Sequence, residues 1–283
     1  MKLRLTSLAI LAAFATGAQA ASTGISNGTV SATIHDNGSF DVSGATGLSY
    51  MGVEFVNIDT RSAWWVVEDG GTTVAQYNAG GFPGTSTIGG GTTALTTAFN
   101  NPGWSFVQTA ALVAPNQLAV SVILTNNTGA AVKDVYYGVG LDPDQGGSGR
   151  NATWNTVNAQ GANASVTATR DWLRDHKLYS VTLANTTSAA ATAIEAYVNK
   201  GNCCSWVSPK SVITTAGAQA GYQGFADDSI SLAYHYGSIG AGESVTIGYS
   251  YTFAAVVPEP ETYAMFLAGL GLMGVVARRR TRA

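Results

Sequence analysis

The sequence predicts an all-β chain whose body folds as an antiparallel β-sandwich, with a larger supersandwich as the variant. Three observations carry this. Short runs in which apolar and polar residues alternate recur along the chain, and each has one apolar face that a second sheet must cover. Turn chemistry separates the runs, in a chain with 34 glycines among 283 residues. Only 11% of residues are charged, so the Glu and Lys that favour helices are scarce and helical periodicity is almost absent. The chain shows no convincing internal repeat, which excludes a solenoid or a propeller.

The elements follow in order. Val30, Ala32 and Ile34 alternate with polar residues, Asp36-Asn37-Gly38-Ser39 supplies an Asn-Gly turn, and Phe40 and Val42 resume the pattern, predicting a hairpin. A second pair runs from Ala63-Trp64-Trp65-Val66-Val67 through Glu68-Asp69-Gly70-Gly71 to residues 72–77. Residues 78–91 hold six glycines and a proline and read as a loop. The clearest alternation places Leu118, Val120, Val122 and Leu124 on one face. Asn126-Asn127-Thr128-Gly129 then turns the chain, and Val135, Tyr137, Val139 and Leu141 continue with the same period of two, predicting two half-buried antiparallel strands.

Residues 165–183 alternate again around Arg170-Asp171-Trp172-Leu173-Arg174-Asp175-His176-Lys177, a charge cluster that reads as a solvated hairpin tip. The Ala-rich residues 189–200 suit a short helical turn or another strand. In the last predicted hairpin Ile230, Leu232, Tyr234 and Tyr236 face Val245, Ile247, Tyr249 and Tyr251 across the turn at 237–244.

Both ends of the chain differ from this body. Lys2 and Arg4 precede the apolar run Leu5–Ala15, and Ala18-Gln19-Ala20 supplies the small residues that signal peptidase requires, so residues 1–20 read as a secretory signal peptide cut after Ala20. At the other end Pro258-Glu259-Pro260 precedes an uncharged stretch from Thr262 to Ala277, and Arg278, Arg279, Arg280 and Arg282 follow it. As a helix those sixteen residues span roughly 24 Å, a little short of the ~20 residues that cross a bilayer comfortably, which predicts a short membrane anchor. The arginines keep its end cytoplasmic and place Pro-Glu-Pro and the body on the far side.

This order of Pro-Glu-Pro, apolar helix and terminal arginines resembles the PEP-CTERM sorting signal of Gram-negative bacteria. The resemblance implies processing by a membrane exosortase. The chain then divides into a signal peptide (1–20), a β-sandwich body (21–257) and a sorting signal (258–283). The expected course is export, anchoring in the inner membrane, then display at the cell surface or in the extracellular matrix.

Charge narrows the partners of the body. Of the 17 acids, Glu259 and Glu261 lie in the sorting signal, and of the 14 bases Lys2, Arg4 and the four terminal arginines lie in the end segments, leaving 15 acids against 8 bases. Such a balance argues against nucleic acid, which needs a basic footprint. It suits a surface or matrix protein and offers oxygen ligands to hard cations. The best metal candidate is Asp142-Pro143-Asp144-Gln145, where the carboxylates of Asp142 and Asp144 on a glycine-flanked loop could turn toward one Ca²⁺; the alternative is a plain turn with solvated acids.

The cysteines are Cys203 and Cys204, adjacent in the chain. An exported protein can oxidise them, and three states are open: a vicinal disulfide, two free thiols, or bridges to a second molecule. No Cys-x-x-Cys or His-x-x-x-His spacing supports zinc.

Catalytic signals are few. His35, His176 and His235 read as structural, and nucleophile-elbow, metalloprotease and phosphate-loop motifs are absent. The pairs Asp142/Asp144, Asp171/Asp175 and Asp227/Asp228 supply carboxylates that sequence cannot place across a cleft. The expectation is therefore a non-enzymatic surface or matrix protein associated with exopolysaccharide and biofilm. A carbohydrate-binding module is the alternative, to be distinguished by exposed tryptophans among Trp64, Trp65, Trp104, Trp154, Trp172 and Trp206, and a glycan-active enzyme ranks third.

Overall fold

The computed structural model describes residues 22–35, 38–40, 47–56, 62–67, 73–77, 85–91, 94–100, 103–145, 154–172, 177–187, 189–201, 203, 207–256, 268–270 and 273. The strands in chain order are β1 (Ser22–Ser26), β2 (Val30–His35), β3 (Leu48–Tyr50), β4 (Val53–Val56), β5 (Ser62–Val67), β6 (Thr73–Tyr77), β7 (Thr85–Gly90), β8 (Ala94–Asn100) and β9 (Trp104–Ala114). They continue with β10 (Gln117–Asn126), β11 (Val132–Leu141), β12 (Thr156–Gly161), β13 (Ser165–Trp172), β14 (Lys177–Thr187) and β15 (Ala193–Asn199). After helix α1 (Pro209–Thr215) come β16 (Gln223–Ala226), β17 (Ser229–Ile239) and β18 (Ser244–Val256).

These strands form three antiparallel sheets. One has nine strands in the order β16-β12-β13-β14-β18-β10-β9-β8-β7, one has five in the order β15-β17-β11-β5-β6, and β1-β2-β3-β4 make the third. Both smaller sheets cover the same face of the large one. Phe106 of β9 meets Tyr137 of β11 at 6.4 Å between ring centroids, while Tyr50 and Phe55 of the four-stranded sheet meet Phe253 of β18 at 5.5 and 5.2 Å. The sandwich expected from alternation is therefore present, and its core is one continuous cluster drawn from all three sheets. Truncating a fully buried aromatic such as Phe253 to alanine would cost about 3–5 kcal/mol in a core of this kind.

The predicted hairpins were only partly right. β5 pairs with β6 and β13 with β14 as expected, and Ile34 bridges Phe40, although Val42 and the tip at 173–176 lie outside the described residues. The tight turn between Ile34 and Phe40 requires a glycine: Gly38 has φ +85°, and a Cβ there would meet the Gln108 amide at 3.1 Å.

The two strongest expected pairs are not pairs. β10 lies in the nine-stranded sheet between β9 and β18, whereas β11 lies in the five-stranded sheet between β5 and β17. β17 and β18 are divided in the same way. Their apolar faces do face each other, but across the interior rather than side by side in one sheet. The connections at 127–131 and 240–243 are thus arches between layers, and Asn126 holds both. Its buried side-chain amide donates to the carbonyls of Ala130, Ile239 and Gly240 at 2.7, 2.9 and 3.1 Å, and its Oδ1 accepts the Thr128 N–H at 2.9 Å.

Other expectations change as well. The glycine-rich stretch read as a loop contains strand β7, paired along its length with β8. The Ala-rich segment resolves as strand β15. Helix α1 carried no periodic signal because it is only seven residues long. It starts with Pro209, which suits a first helical position, and buries Val212, with Ala216 beyond its end, against Ala233 on the outer face of β17.

Candidate functional site

The sorting segment emerges directly from the core. β18 is an interior strand of the largest sheet, bonded to β14 on one side and β10 on the other, and it ends at Val256, two residues before Pro258. Pro258, Glu259, Pro260, the arginines Arg278, Arg279, Arg280 and Arg282, and Ala18 and Ala20 lie outside the described residues. Within the apolar run Ala268, Gly269, Leu270 and Met273 are helical, and the side chains of Leu270 and Met273 are exposed. No helix among the described residues is long and apolar enough to cross a membrane.

A second candidate site lies at one end of the five-stranded sheet. Leu141 pairs with Ile230 and Asn199 with Ser229, so the segments just beyond β11, just beyond β15 and just before β17 meet there. A carboxylate oxygen of Asp142, a carboxylate oxygen of Asp227 and the sulfur of Cys203 lie within 4.8 Å of one another. Asp142 and Asp228 are each 1% exposed and Asp144 is 7% exposed, so the plain solvated turn expected of the Asp142 loop is not what forms.

Asp228 Oδ1 accepts the Gly201 N–H at 2.6 Å, which fastens the cysteine-bearing turn to the start of β17. Burial first, and the neighbouring Asp228 carboxylate second, push the Asp227 carboxyl above its ordinary range. Cys203 is disulfide-bonded, and no cysteine among the described residues is free; Cys204 lies outside them.

In the sequence Asp142 with Asp144, and Asp227 with Asp228, form separate local pairs. Tertiary structure instead joins one member of each, because the β11–β17 register brings positions 85 residues apart to the same sheet end.

The histidines divide as well. His35 is buried and His176 is outside the described residues. His235 sits at the centre of a small constellation on the outer face: its Nε2 is 3.2 Å from Asp134 Oδ1, its Nδ1 is 2.9 Å from Thr192 Oγ1, and its ring stacks on Tyr136 at 4.4 Å. The residue types are those of a nucleophile, base and orienter. The Thr192 hydroxyl, however, also lies 3.0 Å from the His235 carbonyl, which accepts the Thr192 N–H at 2.7 Å, so the group reads as a clamp that joins β15, β17 and β11.

Two surface features bear on ligand binding. Trp154, just before β12, is 63% exposed, whereas Trp104 is buried in the core. The face of the nine-stranded sheet that points away from the core is rich in hydroxyls, including the hydrogen-bonded pairs Thr167–Thr182 at 2.8 Å and Thr125–Ser244 at 2.8 Å. A cavity of about 20 Å³ between Gly38, Gln108 and Tyr251 has room for roughly one water and not for an organic ligand.

Comparison with known proteins yields one family match. Residues 256–280 match the PEP-CTERM protein-sorting motif, a signal for export and exosortase processing. No curated protein matches the chain. Among solved structures, one described as a kojibiose phosphorylase from human microbiome superposes over 89% of this chain and 32% of its own, at 10% identity and a TM-score of 0.43. The chain therefore spans about a third of that structure's length, and so loose a superposition carries no activity across.

Proposed function

We propose that this chain, as the bearer of a PEP-CTERM sorting motif, is a non-enzymatic protein of the cell surface or extracellular matrix whose sandwich serves structure or adhesion among exopolysaccharide. The carrying observation is the placement of the motif at residues 256–280, running straight on from an interior strand of the nine-stranded sheet. A tail that begins at such a strand passes any pull to a strand bonded on both sides, which suits a body handed from an anchor to a surface.

The non-enzymatic reading draws support from the carboxylates. Asp142 is 1% exposed and, with Asp227, adjoins a disulfide-bonded cysteine at a sheet end, whereas a glycosidase pair must reach a sugar held in a cleft.

The test is processing. Replacing Pro258 and Pro260 by alanine should leave the chain uncut in the inner membrane, and intact-mass analysis of parent and variant reads this directly. The same mature C-terminus in both would refute sorting through this motif.

The exposure of Trp154 favours a second reading, a carbohydrate-binding surface. Trp154→Ala should then slow less than the parent in affinity electrophoresis through the producer's own exopolysaccharide. Equal mobility shifts would remove the tryptophan from consideration.

A further inference from the structure

We infer that the outer face of the nine-stranded sheet binds an uncharged polysaccharide, with the Phe225 ring as a stacking platform and Thr167, Thr182, Thr252 and Gln117 as a hydrogen-bonding track beside it. The inference rests on the carbohydrate-binding reading above and gives it a surface and a polymer class. Three observations converge.

The first is charge. The only charged residues in the nine strands of this sheet are Arg170, Asp171 and Lys177, all where β13 runs over to β14. An ordinary protein surface is about a quarter charged or more, so a sheet face this large and this neutral is unusual. A polyanion would find no basic track on it and would be repelled by the net-negative body. An uncharged polymer meets neither obstacle.

The second is the arrangement of hydroxyls. Val166 and Ala168, Val181 and Leu183, and Tyr251 and Phe253 are buried in the core, so Thr167, Thr182 and Thr252 between them point to the opposite side. Strand register sets Thr167 opposite Thr182, Thr182 opposite Thr252 and Thr252 opposite Gln117, one continuous row across β13, β14, β18 and β10. The Thr167 and Thr182 hydroxyls lie 2.8 Å apart, and Gln117 Nε2 donates to Thr252 Oγ1 at 3.1 Å. At about 4.8 Å per strand the row runs roughly 14 Å, which suits a length of polymer. Each hydroxyl has one donor and two acceptor positions, so it keeps capacity for a sugar after bonding its neighbour.

The third is an aromatic ring on the same face. Thr156 and Asn158 of β12 are fully buried, so Val157 and its partner Phe225 on β16 face outward, and Phe225 is 64% exposed. Its row continues through Thr169 and Ser180 alongside the threonine row. An exposed ring offers a flat apolar surface to the C–H face of a sugar. A second copy of this chain is the poorer occupant, because two such faces laid together would desolvate their hydroxyls against each other. A hydroxyl-bearing polymer instead replaces bonds to water with bonds to the protein.

The experiment is biolayer interferometry of the full chain, in nonionic detergent, on the producing cells' exopolysaccharide split by anion exchange into neutral and acidic fractions. Expected is binding to the neutral fraction that about 0.5 M NaCl leaves unchanged. Phe225→Ala and the double variant Thr167→Val/Thr182→Val should each raise Kd about fivefold or more, and Glu195→Gln on the five-stranded sheet should not. The substituted positions lie on the surface and valine suits a strand, so the variants should keep the parent's thermal midpoint.

Binding to the acidic fraction alone, binding that salt abolishes, or no binding to the neutral fraction overturns the inference. A loss confined to Trp154→Ala, with the Phe225 and threonine variants unchanged, overturns this surface and leaves the carbohydrate-binding reading standing. A dimer in light scattering that Phe225→Ala dissolves would give the face to a second copy and overturn the polysaccharide assignment.

Discussion

The Tyr137 phenol on β11 and the Tyr249 phenol on β18 share a hydrogen bond, which joins the five-stranded sheet to the nine-stranded one across the interior. Both side chains are almost fully buried, with Tyr234 and Tyr251 close by. The bond sits where the two layers meet, so it reports on whether they are docked.

Removing either partner should destabilise the fold. Tyr249→Phe and Tyr137→Phe each leave the other phenol buried without this partner. We expect a loss of about 1–3 kcal/mol in denaturant unfolding for each variant. Unchanged midpoints for both variants would show that the bond contributes nothing net.

Alkaline pH tests the same cluster. Burial is the first cause, and neighbouring tyrosines add to it, in pushing Tyr137, Tyr234 and Tyr251 far above their ordinary value; Tyr249 is raised by burial, partly offset by its hydrogen bond with Tyr137. The folded state therefore holds these protons more tightly than the unfolded chain. Their contribution is complete below the unfolded tyrosine value of about 10 and is lost as pH climbs past it. Tyrosinate absorbance and circular dichroism followed together should change in one step for these residues. Full, reversible ionisation of all 12 tyrosines in a chain that stays folded would contradict the burial argument.

Asn126 is the residue whose loss should do most damage per atom. It donates to three carbonyls on two different arches, and its backbone also bonds Gly242 and Glu243. Asn126→Ala should cost about 3 kcal/mol, since several buried groups lose their partners together. Asn126→Asp should be worse at neutral pH, because a carboxylate cannot donate and would face those carbonyls. A variant within a few tenths of a kcal/mol of the parent would show that the arches hold without it.

The cysteine turn makes a mass prediction. The chain has two cysteines and Cys203 is disulfide-bonded, so the non-reduced monomer should be lighter than the reduced one by two hydrogen atoms, with both cysteines in one bridged peptide. Alkylation of both thiols without prior reduction, or a disulfide-linked dimer on a non-reducing gel, would rule out the vicinal bridge.

Period-two patterning told which residues of β10, β11, β17 and β18 are buried, and Leu118, Tyr137, Leu232 and Ile247 are all in the core. It could not tell which strands are neighbours. Alternation records only that one side of a strand meets apolar matter, and the face of a hairpin partner and the face of an opposing sheet leave the same trace. The arches at Asn126 therefore read as turns, when the choice between turn and arch was made by side-chain contacts more than a hundred residues apart, such as Asn126 with Ile239 and Gly240.

The sorting motif was legible for the opposite reason. Pro-Glu-Pro, the apolar run and the arginines act in one short stretch, so their order in the sequence is the signal itself. The acidic site needed both kinds of information. Each carboxylate pair was visible locally, but only the β11–β17 register brings Asp142 to Asp227, and only the tertiary structure buries Asp142.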